Sequence, residues 1–214
     1  PGSRFSTAVD VRIRDFLAGR RSAAAAISSD LSPVFDALAT LTVGGKRMRA
    51  GFLHWGWHAV AAARADAAHT TGSPSDPEWD AIVSMASAVE LFHAAALVHD
   101  DVMDSSDTRR GAPSVHRRLE GVHRAAEWGG RAETFGVNGA ILVGDLLLGW
   151  ADDLARAGAG ALPDDRRDAA MQVFSTMREE VGYGQFLDVL EESAWVRQEP
   201  QTLLERAHAV AVYK

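Results

Sequence analysis

The chain contains no cysteine. Disulfides and thiolate metal sites are therefore excluded, and a reducing compartment, the cytoplasm, is expected. Basic residues are not in excess. Lys and Arg number 22 against 29 Asp and Glu, a net charge of −7, so a global nucleic-acid footprint is not expected. No apolar stretch reads as long enough for a membrane-spanning helix, which needs roughly 20 residues. Stable membrane insertion is therefore not expected. The opening segment PGSRFSTAVD lacks the charged and apolar regions of a signal peptide, and it lacks a starting methionine, as a processed, tagged or trimmed product would. Alternating strand patterns of useful length are missing, and so are internal repeats. What is present is a chain of 214 residues, 47% hydrophobic and 24% charged, enough for one domain with a sizeable core.

Apolar residues at helical spacing run through most of the chain, so the expected class is all-α. The periodicity predicts a helix over Phe5–Ile27 and a short one over Leu31–Leu41, with Ser29, Asp30 and Ser32 as candidate N-caps. The run HTTGSPSDPEW is the clearest loop, and Asp76-Pro77-Glu78 within it opens the next helix. Ile82, Met85, Val89, Phe92 and Ala96 mark one apolar face of that helix. A polar loop spans Ser105–Ser114. Further helices are predicted over Glu133–Arg156, from Pro163-Asp164 to about Leu190, and from Glu199-Pro200 onward.

Three aspartates, Asp100, Asp101 and Asp104, close the apolar helix in the segment LFHAAALVHDDVMDSSDTRRG. The C-terminal end of a helix already carries partial negative charge, so acids there are unfavourable. Asp100 and Asp104 also share a helix face and repel. Arg109 and Arg110 follow closely, but as loop residues they need not pair with all three acids. A hard cation such as Mg²⁺ is the simpler compensation, because it takes one or two carboxylates and completes its shell with phosphate oxygens. A solvated helix end is the plain alternative.

Basic segments flank this cluster in sequence. GGKRMR, Gly44–Arg49, puts Lys46, Arg47 and Arg49 near a helix start, where free N–H groups favour anions, while the glycines let backbone approach a ligand. Arg109 and Arg110 offer forks suited to phosphate oxygens. His93 lies two turns before Asp100 on the same side, and Glu90 could orient it; a satisfied core histidine is the competing account. Gly184 in GQFLD costs about 1 kcal/mol inside a helix relative to alanine, so it serves close packing or substrate approach. Gln185 beside it could donate to an anion.

Taken jointly, GGKRMR, ELFHAAALVHDDVMDSSDTRRG from Glu90 to Gly111, GQFLD from Gly184 to Asp188, and the closing Tyr213-Lys214 resemble the trans-isoprenyl diphosphate synthases. These are the polyprenyl synthetases that make farnesyl, geranylgeranyl and longer diphosphates. The resemblance covers the chain from about Gly44 onward.

The resemblance implies a helical bundle of the isoprenoid synthase type around a central apolar cavity. It implies a prenyltransferase that joins isopentenyl diphosphate to an allylic diphosphate by Mg²⁺-assisted ionisation, usually as a homodimer. Carried over by position, Asp100 and Asp104 bind Mg²⁺ with Asp101 assisting. Lys46, Arg49, His93 and Arg110 hold isopentenyl diphosphate, and Arg109, Gln185 and Lys214 hold the allylic one. Bulky aromatics four and five residues before the first aspartate stop chain growth early in this family. Here Ala96 and Ala95 stand there, with Phe92 as the next candidate floor, which points to a geranylgeranyl-type product or slightly longer. One departure stands out: the family's second Asp-rich motif is absent, since Asp152-Asp153 and Asp164-Asp165 lack the third acid and come too early. The expectation is thus a single domain over 1–214 that corresponds to the N-terminal two-thirds of a family member, lacks the C-terminal helices and is by itself a poor catalyst. The alternatives are a non-catalytic partner subunit of a synthase and a class I terpene cyclase.

Overall fold

The computed structural model describes residues 3–42, 44–63, 77–194 and 200–214. These residues form two compact units, Pro1–Pro163 and Asp164–Lys214, each taken by itself below.

The first unit opens with α1, Ser3–Ala25, whose Phe5, Val9, Ile13 and Leu17 recur every four residues and are all buried. A single 3₁₀ turn, Ser29–Leu31, leads into α2, Ser32–Thr42. The side chain that caps this turn is Ser28, which accepts the Asp30 N–H at 3.1 Å. Next come α3, Met48–Ala63, and α4, Pro77–Met103. Pro77 does begin α4, with Glu78 and Asp80 in the first turn, where the helix dipole favours acids. The Asp76 cap and most of the preceding loop lie outside the described residues.

The stretch expected as a loop after the aspartates contains a small hairpin. Thr108–Arg109, β1, pairs antiparallel with Ala112–Pro113, β2. Arg110 and Gly111 form its two-residue turn, both with positive φ, 53° and 78°, as a type I′ turn requires. A helix that periodicity did not reveal follows: α5, Val115–Ala125. Its buried side carries His116, Glu120 and His123 beside Val115 and Leu119, so the apolar signal was too sparse to detect. Then α6, Ala132–Ala159, packs antiparallel to α4. A Cβ at Gly158 would collide with Ala81 and Ser84 near the start of α4, and one at Gly144 with His99 near its end.

That packing corrects the apolar face assigned to α4. Ile82 and Phe92 are buried, but Met85, Val89 and Ala96 remain half-open. The side turned to α6 includes the small residues Ala81, Ser84, Ala88 and Ala95, all essentially inaccessible, with Met85 and His99 also touching that helix. Successive α-helical residues are about 100° apart. Met85, Val89, His93, Ala96 and Asp100 therefore share one longitudinal side, and all five are half-open. The expectation of no membrane-length apolar helix also needs correction. Glu78–Met103 and Ala132–Ala159 are both long and apolar enough to cross a bilayer by length and composition alone. In the first, 72% of the most apolar window is buried within the protein, which is how a core helix passes the same test.

The second unit comprises α7, Asp164–Ala194, and α8, Pro200–Tyr213. Arg206 pairs with Glu191, and Lys214 with Asp188. Gly184 serves close packing as expected, since a Cβ there would overlap the backbone of Tyr213 and Lys214. The expected start at Glu199 lies outside the described residues; Pro200 is the first residue of α8.

Candidate active site

The end of α4 gathers the three aspartates as predicted, but gives them different surroundings. Asp100 and Asp101 sit in the last turn, and Asp104 follows it, its N–H still bonded to the Asp100 carbonyl at 2.8 Å. No basic residue of α4 offsets them. Asp100 is half-buried on the open side, and Asp104 is exposed. Asp101 points the other way and is 1% exposed. Arg109 of the hairpin donates to its Oδ1 from Nε at 2.9 Å and from Nη2, and the same Nη2 comes within 3.6 Å of Asp100. The hydrogen bond to Asp101 raises the Arg109 pKa above its ordinary value. Arg109 thus supplies part of the compensation that the sequence assigned to a cation. No group of three or more acid or histidine side chains converges as a metal cage among the described residues. With Asp101 turned inward, Asp100 and Asp104 remain. Two carboxylates one turn apart on an open face fit an ion that shares its shell with phosphate oxygens.

The basic end is assembled from three segments distant in sequence. The Gly44–Arg49 loop has positive φ at Gly44 (78°), Gly45 (103°) and Arg47 (46°). It packs on the hairpin, where a Cβ at Gly45 would lie 3.4 Å from the Arg110 guanidinium. Lys46, Arg49 and Arg110 are exposed and have no carboxylate partner among the described residues. His93, half-buried on the open side of α4, completes the group. Burial pushes its pKa down, and Arg49, Arg110, Arg109 and Arg47 add to the shift, to about 4. At neutral pH it is an uncharged imidazole amid cations.

Two residues depart from their sequence-based roles. Glu90 does not orient His93. Its buried carboxylate accepts the Ala50 N–H at 3.2 Å and Arg47 Nη1 at 3.3 Å. Arg47, set aside among the loop cations, is held by Asp10 (2.7 Å), Glu90 and the Thr42 carbonyl (2.6 Å). The available signal was an acid inside an apolar helix, which needs a partner when buried. Asp107, beside the hairpin, pairs with Arg117 of α5 at 2.7 Å.

The open side of α4 therefore carries an acid pair, an apolar strip and a cluster of exposed cations. Residues 32–213 match the polyprenyl synthetase family. The chain belongs to that family. A nonaprenyl diphosphate synthase of Mycobacterium tuberculosis is 37% identical over 58% of this chain and 32% of its own length. A geranylfarnesyl diphosphate synthase of Natronomonas pharaonis is 34% identical over 70% of this chain and 39% of its own. Among solved structures, a geranylgeranyl pyrophosphate synthase from Corynebacterium glutamicum, complexed with isoprenyl diphosphate and magnesium, superposes with a TM-score of 0.83 at 33% identity. The match covers 100% of this chain and 56% of that one. The fold is accordingly all-α, of the isoprenoid synthase type, and the chain spans about a third to just over a half of these three relatives.

In this member of the polyprenyl synthetases, the first unit brings together Asp100, Asp104, Lys46, Arg49, His93 and Arg110. Asp101 and Arg109 are spent on one another. Gln185 and Lys214 belong to the second unit, where Lys214 meets Asp188.

Proposed function

We propose that the protein is a trans-prenyltransferase that condenses isopentenyl diphosphate with an allylic diphosphate to give a longer polyprenyl diphosphate. The observation that carries this is the set of exposed cations Lys46, Arg49 and Arg110 on the side of an uncharged His93, on the same side of α4 as the carboxylates of Asp100 and Asp104. In the reaction, the allylic C1–O bond breaks and diphosphate leaves. The isopentenyl double bond attacks C1 to form the new C–C bond, and a proton is then lost. Lys46, Arg49 and Arg110 hold the isopentenyl diphosphate by charge-assisted hydrogen bonds. His93, uncharged at neutral pH, donates one more without adding charge. The strip Met85, Val89, Phe92 and Ala96 receives the growing chain and keeps water from the allylic cation. Asp100 and Asp104 would hold Mg²⁺, which when bound supplies neutralising charge for the departing diphosphate.

Finer features extend the same proposal. Ala96 on the open side leaves room past the fifteen-carbon stage, in favour of a geranylgeranyl-type product with Phe92 as floor. Ala95 faces the core and has no part in that choice. Phe135, Ile141, Leu142 and Leu146 of α6 are exposed, in keeping with a homodimer through this helix. A cytoplasmic location, a single domain over 1–214, and no stable membrane insertion or nucleic-acid partner complete the proposal.

The test is incubation of the intact protein with labelled isopentenyl diphosphate, allylic diphosphates of graded length and Mg²⁺, followed by product chromatography. Chain growth supports the transferase. A cyclised hydrocarbon would instead identify a class I cyclase, and growth only on addition of a second protein would identify a partner subunit.

A further inference from the structure

Arg47 is the one member of GGKRMR that does not reach toward solvent. It is a non-glycine residue with φ of 46°, a conformation that costs about 1 kcal/mol or more per residue. Something must over-determine it. Its guanidinium is 9% exposed and bonded to Asp10, Glu90 and the Thr42 carbonyl, so α1, α4 and the end of α2 all hold it. Glu90 is 8% exposed and uses its second oxygen on the Ala50 N–H, the third amide of α3, which has no partner within its own helix. One carboxylate thus fixes both the bend before α3 and the first turn of α3. Lys46 and Arg49 flank the bend on either side, and His93 follows Glu90 by less than one turn of α4.

We propose that Arg47 and Glu90 are positioning residues: a buried ion pair that locks the Gly44–Arg49 bend, so that Lys46 and Arg49 are presented with His93 and Arg110 as one diphosphate-binding surface. This rests on the prenyltransferase reading for the identity of the substrate, but not for the binding of diphosphate. Glu90 neutralises the one cation that the anion does not touch. Loosening the pair lets the loop relax toward ordinary φ values, and the two flanking cations separate from Arg110. Affinity for diphosphate falls while the acid end is left intact.

The probe is inorganic diphosphate, titrated calorimetrically into the intact protein without metal. Glu90→Gln keeps shape and an acceptor for Ala50 while removing the charge, so folding is retained; Arg47→Gln removes the other partner. Each single variant is expected to weaken diphosphate about tenfold, the scale of one charge-assisted hydrogen bond, and to raise KM for isopentenyl diphosphate with kcat nearly unchanged. The double variant is expected to be no worse than either single, because both break one interaction. Amide exchange at residues 44–51 should quicken in all three. Additive losses, or single variants that bind diphosphate as the unaltered protein does, would overturn the proposal. Tight diphosphate binding in an unaltered protein that extends no allylic substrate would sink the transferase reading and leave the clamp standing.

Discussion

The two ends of the site are built by opposite routes. At the acid end, three residues of one helix terminus lie within five positions, and their repulsion is local. At the basic end, the Gly44–Arg49 loop, His93 of α4 and Arg110 of the hairpin come from segments separated by tens of residues. Yet both ends use the same device. Each buries one of its own kind against opposite charge: Asp101 on Arg109 at the acid end, Arg47 on Glu90 and Asp10 at the basic end. Of the remaining like charges, Lys46, Arg49, Arg110 and Asp104 are exposed and Asp100 is half-buried. Stability and binding are thereby divided between neighbouring residues of one motif.

That division can be broken most strongly at Asp101. Asp101→Asn leaves Arg109 only the more distant Asp100, at 3.6 Å, and disruption of a buried pair costs about 3 kcal/mol or more. The melting temperature should fall by roughly 10 °C, whereas Asp104→Asn, at an exposed position, should leave it nearly unchanged. Thermal denaturation of the two variants side by side checks this, and equal melting points would erase the distinction drawn within the acid motif.

Adjacent alanines on α4 offer the next largest contrast. Ala95 is inaccessible on the side turned to α6, so Ala95→Phe overpacks the core and should cost about 2 kcal/mol. Ala96→Phe projects into the open strip. It should leave stability within about 0.5 kcal/mol and shorten the product. Chemical denaturation combined with product chromatography separates the two; a shortened product from a fully stable Ala95→Phe protein would reverse the face assignment.

The hairpin arginines give a smaller effect. Arg110→Ala should raise KM for isopentenyl diphosphate about tenfold, the loss of one charge-assisted contact, without a change in melting temperature. Arg109→Ala should lower the melting temperature as Asp101→Asn does. Matching kinetic and thermal effects in both variants would mean that the two arginines share one role.

The smallest effect is in titration. His93 should titrate near pH 4 in the free protein. A histidine whose folded pKa is depressed destabilises the fold as pH drops from its unfolded value of 6.5 toward 4, because only the unfolded chain takes up the proton there. Anion binding beside the ring should raise its pKa. Ring-proton NMR with and without inorganic diphosphate measures both, and an unshifted titration would place His93 outside the anion site.

What could be read from the sequence follows the same contrast. The crowding of the acid cluster was legible because it is local: acids at a helix end, spaced on one face, call for positive charge, part of which Arg109 supplies. The basic segments were legible one by one, but only the resemblance joined them, since nothing in GGKRMR reveals that Gly45 lies on Arg110. The α4 face was misjudged for a specific reason. Periodicity weighs large apolar residues, while the side that packs closest on α6 includes alanine and serine because Gly144 and Gly158 bring that helix in. Helix α5 escaped notice because two histidines and a glutamate share its buried side. The struts Asp101–Arg109 and Arg47–Glu90 escaped for a related reason, as charged residues inside a motif read first as ligands.

The most direct test of the divided site is the metal dependence of the two proposed substrates. Isopentenyl diphosphate and a non-reactive allylic diphosphate analogue should each be titrated into the intact protein, with and without Mg²⁺. Isopentenyl diphosphate should bind alike in both conditions, through Lys46, Arg49, His93 and Arg110. The allylic analogue should bind tightly only with Mg²⁺, and Asp100→Ala should abolish that gain. Equal metal dependence for both ligands, or a gain that survives Asp100→Ala, would contradict the account.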